Sequence, residues 1–351
     1  MVRVNIEMEE VDLEAFVPDI SQAGAMVKVD LRYRVDPLLG TSTRIISGSK
    51  LNPSERADLT PLTERGGFCP FCRENVESAT AAFPREIVPE GKIRVGKAVV
   101  VPNILAYSTS SAVGIYDTER HFISLSEFDR STLTDAFEGM LLHCRAVRRS
   151  DQRLLYSSIS ANYLPSSGSS LVHPHLQSSH DVVPLTSQRQ RLVASERFLA
   201  EHGVPYLTAL VEQERDGDRF VGTTGSVTWL TPFAPTGFHE VWGVVAGRGD
   251  LPQIDHAVVE DLAVGLEEVL HAYDAANLSA FNFTLQGGGP DATDRGFELC
   301  FKIVSRAPVE PYYRSDVTYF EKLASETMID TSPEIWAASL RRRFNELETG
   351  Q

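Results

Sequence analysis

Basic residues are the minority charge in this 351-residue chain: 33 Lys and Arg stand against 48 Asp and Glu, for a formal net charge of −15. Such a surface repels polyanions, so a nucleic-acid polymer is not an expected partner, although a local pocket for one small phosphate is compatible with it. Long apolar runs are missing. None reaches the roughly eighteen residues that a membrane-crossing helix requires, so no membrane span is expected. The opening stretch, MVRVNIEMEEVDLEAF, is acidic and lacks an apolar centre, which argues against a secretory leader. The chain has only four cysteines, and in the cytoplasmic location that follows they are expected to be reduced. Histidine is scarce too, at nine residues, and three of the nine fall within SSLVHPHLQSSH, residues 169 to 180.

What is present reads as a globular α+β protein. Apolar content is 42% and charged content 23%, which is ordinary for a domain with a packed core. The first thirty residues read as an acidic, irregular arm. LRYRVDPLLGTSTRIISGSK reads as strand, turn at Leu39-Gly40, strand. KAVVVPNILAYS and SAVGIYDTERH are strand-like, and LLYSSISANY is a further strand. Between them Leu133, Phe137, Met140, Cys144 and Val147 recur at helical spacing. The second half repeats the order. SVTWLTPFAP and FHEVWGVVAG are strands, Val259, Leu262, Leu266, Val269 and Tyr273 mark a helix, and LSAFNFTLQ and FELCFKIVS are strands. Asn162 and Asn282 hold the same place in the two units. The chain therefore reads as a duplicated α+β unit with antiparallel strands, both copies in one sheet with flanking helices: an arm over 1–30, a first half over 31–180 and a second over 181–351. Where the first copy has His173 and His175, the second is read as having Cys300 and Lys302.

Residues two apart on a strand share a face, so His173 and His175 project together, with Pro174 marking an edge or an irregular strand end. An imidazole attacks phosphorus when one nitrogen is unprotonated and the other is held by a backbone carbonyl. The Ser170 hydroxyl, the backbone N–H groups of the 166–170 loop (including Gly168 and Ser169) and the Gln177 amide are neutral donors suited to the non-bridging oxygens. Cys69 and Cys72 form a C-x-x-C, half of a four-ligand zinc site. A redox pair is the competing reading, but the chain lacks the βαβ order such a pair favours. His121 and His173 complete a Cys₂His₂ set, which leaves His175 free for attack. Cys144 and Cys300 read as core residues.

These pieces resemble the galactose-1-phosphate uridylyltransferase family, a branch of the histidine-triad superfamily. DPLLGTSTRIISGSK, CPFC, VVVPNILAYS, TERHFISLSEF, NYLPSSGSSLVHPHLQ, TPFAPTGFHEVWGVV and FEKLASE occur in the family's order, touching the chain from about residue 30 to residue 340. The resemblance implies that His175 is the nucleophile and that Cys69, Cys72, His121 and His173 hold one structural zinc per chain. It implies that Gln177 and Ser170 contact the transferred phosphate, that Asn162 and Asn103 lie near the nucleotide, and that Glu321 contacts the sugar. It also implies a homodimer whose second repeat helps form the partner's sugar pocket. Five positions depart from the pattern. Leu176 replaces a small residue, Met328 stands near the place of a sugar-reading glutamine, and Lys50 is the nearest match to a basic pair. Cys300 and Lys302 replace a second pair of histidines, so a second metal is not expected; Lys302 reads as a phosphate neighbour or a solvated strand residue.

The function implied is a nucleotidyltransferase that moves an NMP, UMP by the family's name, between a nucleoside diphosphate sugar and a sugar 1-phosphate through a His175–NMP intermediate. Two readings compete with it. One is a phosphorylase or hydrolase that passes the same intermediate to phosphate, sulfate or water. The other is a non-catalytic zinc-containing nucleotide-binding protein.

Overall fold

The computed structural model describes residues 4–19, 24–46, 56–63, 67–105, 107–309 and 315–349. Lys50 lies outside them. Fourteen strands and seven helices occur among the described residues. In the first half the strands are β1 (Glu10–Asp19), β2 (Ala25–Val35), β3 (Ser42–Ile46), β4 (Ile93–Val95), β5 (Ala98–Pro102), β6 (Ser110–Ile115), β7 (Tyr156–Tyr163) and β8 (His175–Asp181). The short helices α1 (Thr60–Thr63) and α2 (Val76–Ala79) and the long α3 (Arg130–Ser150) lie among them. Next come α4 (Thr186–His202), α5 (Tyr206–Glu214), β9 (Phe220–Thr224), β10 (Val227–Leu230), β11 (Val241–Val245), α6 (His256–Ala275), β12 (Ala280–Gly287), β13 (Leu299–Arg306), β14 (Glu326–Ile329) and α7 (Pro333–Thr349).

Ten strands form one antiparallel sheet in the order β4-β5-β6-β8-β7-β12-β13-β11-β10-β9. The two halves meet at its centre, where β7 pairs with β12 and Asn162 stands directly opposite Asn282. The expected duplication in a shared sheet is thus present, with a local twofold between the two asparagines. The helices α3 and α6 cover one face, and both were legible from their apolar spacing. Leu133, Phe137, Met140, Cys144 and Val147 of α3 are buried, as are Val259, Leu262, Leu266, Val269 and Tyr273 of α6. Asp129 and Asp255 cap these helices, their side chains accepting from Thr132 N and Val258 N; such a cap satisfies a donor the helix itself cannot. Gly265 costs α6 some backbone entropy, but a Cβ there would collide with the Trp229 indole, so the glycine permits the helix to sit close on β10.

The N-terminal segment differs from its reading as irregular. β1 and β2 are a ten-rung antiparallel ribbon that joins β3 and β14 in a second sheet of four strands, with β3 and β14 parallel. The alternation is plain in register. Val11, Leu13, Ala15 and Val17 oppose Tyr33, Leu31, Val29 and Val27, while Glu10, Asp12 and Glu14 point the other way. The acidic half of the alternation disguised a strand as an arm.

The register also revises the match between the copies. Asn162 and Asn282 are equivalent, so Ser160 matches Ala280, and Gln177 pairs with Ser160 as Arg306 pairs with Ala280. The counterpart of Gln177 is therefore Arg306, and continuing each ladder makes Val304 the counterpart of His175 and Lys302 the counterpart of His173.

Beneath β8, on the helix-covered face, His143 and His180 are wholly buried. His180 Nε2 lies 3.2 Å from His143 Nδ1, and His180 Nδ1 lies 2.9 Å from the Ser157 hydroxyl. Burial lowers their pKa values to about 3 for His143, helped by His180, and to about 4 for His180. Both rings stay neutral in the fold, whereas in the unfolded chain they bind protons below about pH 6.5. The unfolded state therefore gains protons first as pH falls, and stability declines below that value. Each shift of two units or more is worth about 3 kcal/mol once fully developed. Unfolding stability should fall by several kcal/mol between pH 6.5 and 4, and less in His180→Gln. Urea titrations of both proteins at the two pH values check this; parallel declines would remove the pair as the cause.

Candidate active site

The candidate nucleophile and the candidate metal ligands are brought to the face of the sheet opposite α3 and α6. The turn carrying Cys69 and Cys72 lies on this face in an apolar cluster of Phe71, Val76, Val99, Val101, Val113 and Ile115. Asn75 holds the turn, its Nδ2 donating to Cys69 O at 2.9 Å. His121 follows β6, and His173 immediately precedes β8. The ligand atoms of Cys69, Cys72, His121 and His173 lie within 4.8 Å of one another. His173 Nδ1 is 3.6 Å from each thiol sulfur, and His121 Nδ1 is 3.4 Å from Cys72 Sγ. The remaining ring nitrogen of His173 donates to Asp117 O at 2.9 Å, which fixes the tautomer and turns Nδ1 toward the sulfurs. Burial raises the Cys69 thiol pKa, and a bound cation is the partner that favours thiolate there. These four residues could hold a metal ion.

His175 opens β8 in the middle of the sheet, so Pro174 marks an irregular strand end rather than an edge. Its Nδ1 donates to His173 O at 2.9 Å, leaving Nε2 as the unprotonated nitrogen. Burial lowers its pKa, opposed by that hydrogen bond. Phe71 packs edge-on against both imidazoles, with ring centroids 5.2 Å from His175 and 6.0 Å from His173. The metal group and the candidate nucleophile are thus one rigid body, joined by a backbone carbonyl and a shared aromatic wall.

Register places the neighbours. Ala161 pairs with Leu176, and one step further stand Asn162 and His175. Gln177, Ser160, Thr284 and Lys302 form a row across four strands on the same face. Between β7 and β8 the chain makes a tight loop with Leu164 at φ 71 and Gly168 at φ 93. The left-handed glycine requires no side chain, whereas Leu164 is strained. The N–H groups of Gly168 and Ser169 are used inside the loop, donating to Pro165 O at 2.9 Å and Leu164 O at 3.3 Å. The hydroxyl of Ser170 is exposed, and neither it nor the Gln177 amide makes a hydrogen bond among the described residues. The Ser166 hydroxyl, not singled out from the sequence, is buried without a partner among them.

The other expected contacts divide. Asn103 sits at the end of β5, where its Nδ2 donates to Tyr107 OH at 3.3 Å and its Oδ1 accepts from Leu105 N at 2.9 Å; it shapes the loop at one end of the cleft. Glu321 and Met328 line a cavity of about 170 Å³ together with Asn282, Val304, Arg306 and Asp316. Glu321 thus lies on the side of Asn162 away from the metal group. Lys302 does not reach His175. It is three strand spacings, about 14 Å, from Gln177, and its Nζ rests 3.9 Å from the centre of the Trp242 ring. Lys302 and Cys300 line a nearly closed pocket with Arg191 and Asp36. Two cations beside one carboxylate make a poor environment for a second metal.

No family model matches the chain. Among solved structures it is similar to a GalT-like protein of Arabidopsis thaliana, with a TM-score of 0.68, 19% identity and coverage of 88% of this chain and 98% of that one. It is similar to an ADP-glucose phosphorylase of the same plant with bound ADP-glucose, at a TM-score of 0.67, 18% identity and coverage of 88% and 98%. A uridylyltransferase matches at a TM-score of 0.67, 22% identity and coverage of 90% and 99%. The chain shares the fold of these three proteins over most of its length. An uncharacterized protein of Archaeoglobus fulgidus is 32% identical over 321 residues, which are 91% of this chain and 93% of that one. The chain belongs to one family with the Archaeoglobus protein.

Proposed function

We propose that the protein is a nucleotidyltransferase that moves an NMP, UMP in the first instance, between a nucleoside diphosphate sugar and a sugar 1-phosphate through His175. The observation that carries this reading is the Nδ1 bond from His175 to His173 O at 2.9 Å, because it directs an unprotonated Nε2 into a cleft with free neutral donors. The likeness in fold to a uridylyltransferase and to an ADP-glucose phosphorylase supports it. Nε2 attacks the α-phosphorus and an N–P bond forms. The P–O bond to the sugar 1-phosphate breaks, and its electron pair leaves with that phosphate. An acceptor oxygen then attacks the same phosphorus, the N–P bond breaks, and Nε2 regains its lone pair. The proton on Nδ1 stays in place throughout. Gln177 and Ser170 donate to the non-bridging oxygens, and Asn162 donates beside them.

Zinc is the proposed ion for the Cys₂His₂ group, as a structural centre. Tetrahedral zinc with Zn–S about 2.3 Å and Zn–N about 2.0–2.1 Å implies S···N edges of about 3.5 Å, and three of the four S···N pairs, those of His173 with both sulfurs and of His121 with Cys72, stand at 3.4 to 3.6 Å. When bound, it supplies rigidity to the turn and to the strand that starts at His175. The protein is proposed to act in the cytoplasm as a homodimer in carbohydrate metabolism. Glu321 reads sugar hydroxyls, and Met328 supplies no amide to the same cavity.

The test uses UDP-glucose and ADP-glucose labelled at the α-phosphorus. Acid-labile label on the protein is the expected result, and the acceptor that discharges it (sugar 1-phosphate, phosphate, sulfate or water) separates a transferase from a phosphorylase or hydrolase. No label from either nucleotide would defeat covalent transfer. Among sugar 1-phosphates, galactose 1-phosphate should be a poor acceptor, because one missing hydroxyl-reading group costs on the order of 1–3 kcal/mol of discrimination. A clear preference for galactose 1-phosphate in kcat/KM would overturn that part.

A further inference from the structure

The second half of the chain has lost the histidine position, yet a chain of hydrogen bonds runs from it to the nucleophile's neighbour. Arg306, at the end of β13, is clamped by Asp316. Its Nε lies 3.1 and 2.8 Å from the two carboxylate oxygens, and its NH2 nitrogen lies 2.7 Å from Oδ1. The NH1 nitrogen donates to Asn282 Oδ1. Asn282 Nδ2 donates to Asn162 Oδ1 at 2.6 Å and to Ser167 O at 3.0 Å.

The direction of every bond follows from what each group can do. Guanidinium has donors only, so it can face only the oxygen of the Asn282 amide. That places the amide nitrogen of Asn282 toward β7, where it can meet only the oxygen of Asn162. The choice between the two amide flips, ordinarily ambiguous, is therefore set by chemistry. Asn162, which stands opposite His175, is left with its NH₂ group, two donors, turned away from Asn282. A phosphate oxygen only accepts. With Asn162 flipped, a carbonyl oxygen would meet the anion and repel it. The same Asn282 nitrogen holds the Ser167 carbonyl, so the loop that ends at Ser170 is tethered to the same arginine. The ion pair is well shielded, with side-chain exposures of 17% for Arg306 and 6% for Asp316, so water competes poorly for the guanidinium.

We propose that Arg306 is a positioning residue for nucleotidyl transfer: acting through Asn282, it keeps Asn162 as a hydrogen-bond donor to the transferred phosphate and anchors the Ser167 carbonyl of the adjoining loop. The proposal rests on the transfer reading above. It gives the second copy of the duplicated unit a task in the first copy's reaction, and it makes the clamp at Asp316 part of the same device.

The experiment is a double-mutant cycle on the full zinc-loaded chain, read as the rate constant for loading label from whichever α-labelled nucleotide sugar labels the wild type. Asn282→Asp preserves size and the Arg306 contact but removes the donor to Asn162; it should slow loading about 100-fold, the effect of misdirecting one transition-state donor. Arg306→Met should do the same, and Arg306→Lys, which restores a donor to Asn282, should recover most of the rate. The loss should fall on kcat more than on KM. In an Asn162→Ala background, Arg306→Met should cost little further, because the group it directs is already gone. A full additional loss in that background would overturn the proposal, as would unchanged loading in Asn282→Asp. A wild type that takes no label defeats the transfer reading and the proposal with it, whereas a labelled wild type with unaffected variants defeats the proposal alone. Thermal unfolding of each variant reports any general damage: melting temperatures within a few degrees of wild type are expected, and rate losses that track lost stability count against positioning.

Discussion

His175→Ala is expected to abolish both labelling of the protein and turnover, by a factor on the order of 10⁴ or more, the scale seen when a covalent nucleophile is removed. Water cannot replace an imidazole held by its own backbone. The Nδ1 bond to His173 O fixes the ring, and Phe71 limits its tilt. In His175→Gly the ring position is vacated while β8 keeps its pairing, so added imidazole should restore part of the turnover without leaving stable label on the protein. Because burial lowers the His175 pKa, the nucleophile stays neutral below the ordinary imidazole value. The acid limb of kcat/KM should therefore fall below about pH 6.5. Near-normal turnover in His175→Ala would sink the covalent mechanism outright, whatever the other variants did.

Removing the metal should cost stability before chemistry. Cys69→Ser leaves Cys72, His121 and His173 as three ligands around a buried position, and zinc prefers thiolate there. Zinc content should fall well below one per chain, and the melting temperature should drop on the order of 10 °C, since several kcal/mol of binding energy is also folding energy. The loss should spread to His175 as slower loading, because His173 carries both a ligand nitrogen and the carbonyl that holds the nucleophile. Elemental analysis and calorimetry on the same preparations decide it. A metal-free chain with unchanged melting temperature and activity would remove the metal from the structural account.

The elements most legible in the sequence were those whose signal is local. The α3 and α6 periodicities stand in single windows of about twenty residues. The Cys₂His₂ group combined a spacing motif with scarce histidines, so few alternative sets existed. Asn162 and Asn282 were matched because each lies in the strand that follows the long helix of its unit. Local reading failed where the deciding partner is remote. The match of His175 with Lys302 was off by one alternate position, because strand register depends on hydrogen bonds that sequence spacing does not contain. For Lys302 the sequence left two readings open, a phosphate neighbour or a solvated strand residue, because Trp242, sixty residues earlier and under its ammonium, cannot be read from local spacing. For Gly168 and Ser169, only the fold shows that their N–H groups close the loop itself. Arg306 carried no motif at all. Its significance comes from Asp316, Asn282 and Asn162, on three other segments.

The seam between β7 and β12 also orders events in time. These strands lie in the interior of the sheet, and their partners are about 120 residues apart in the chain. A nascent chain that has emerged as far as β8 holds both histidines and both cysteines, but β7 still has a bare edge. That edge is a template for any passing strand until β12 arrives to cover it. Asn282 travels on β12, so the residue that orients Asn162 reaches the ribosome exit only with the strand that closes the seam. Closure of the fold and completion of the donor set therefore coincide, and a chain halted midway carries an exposed edge and an unaimed amide together.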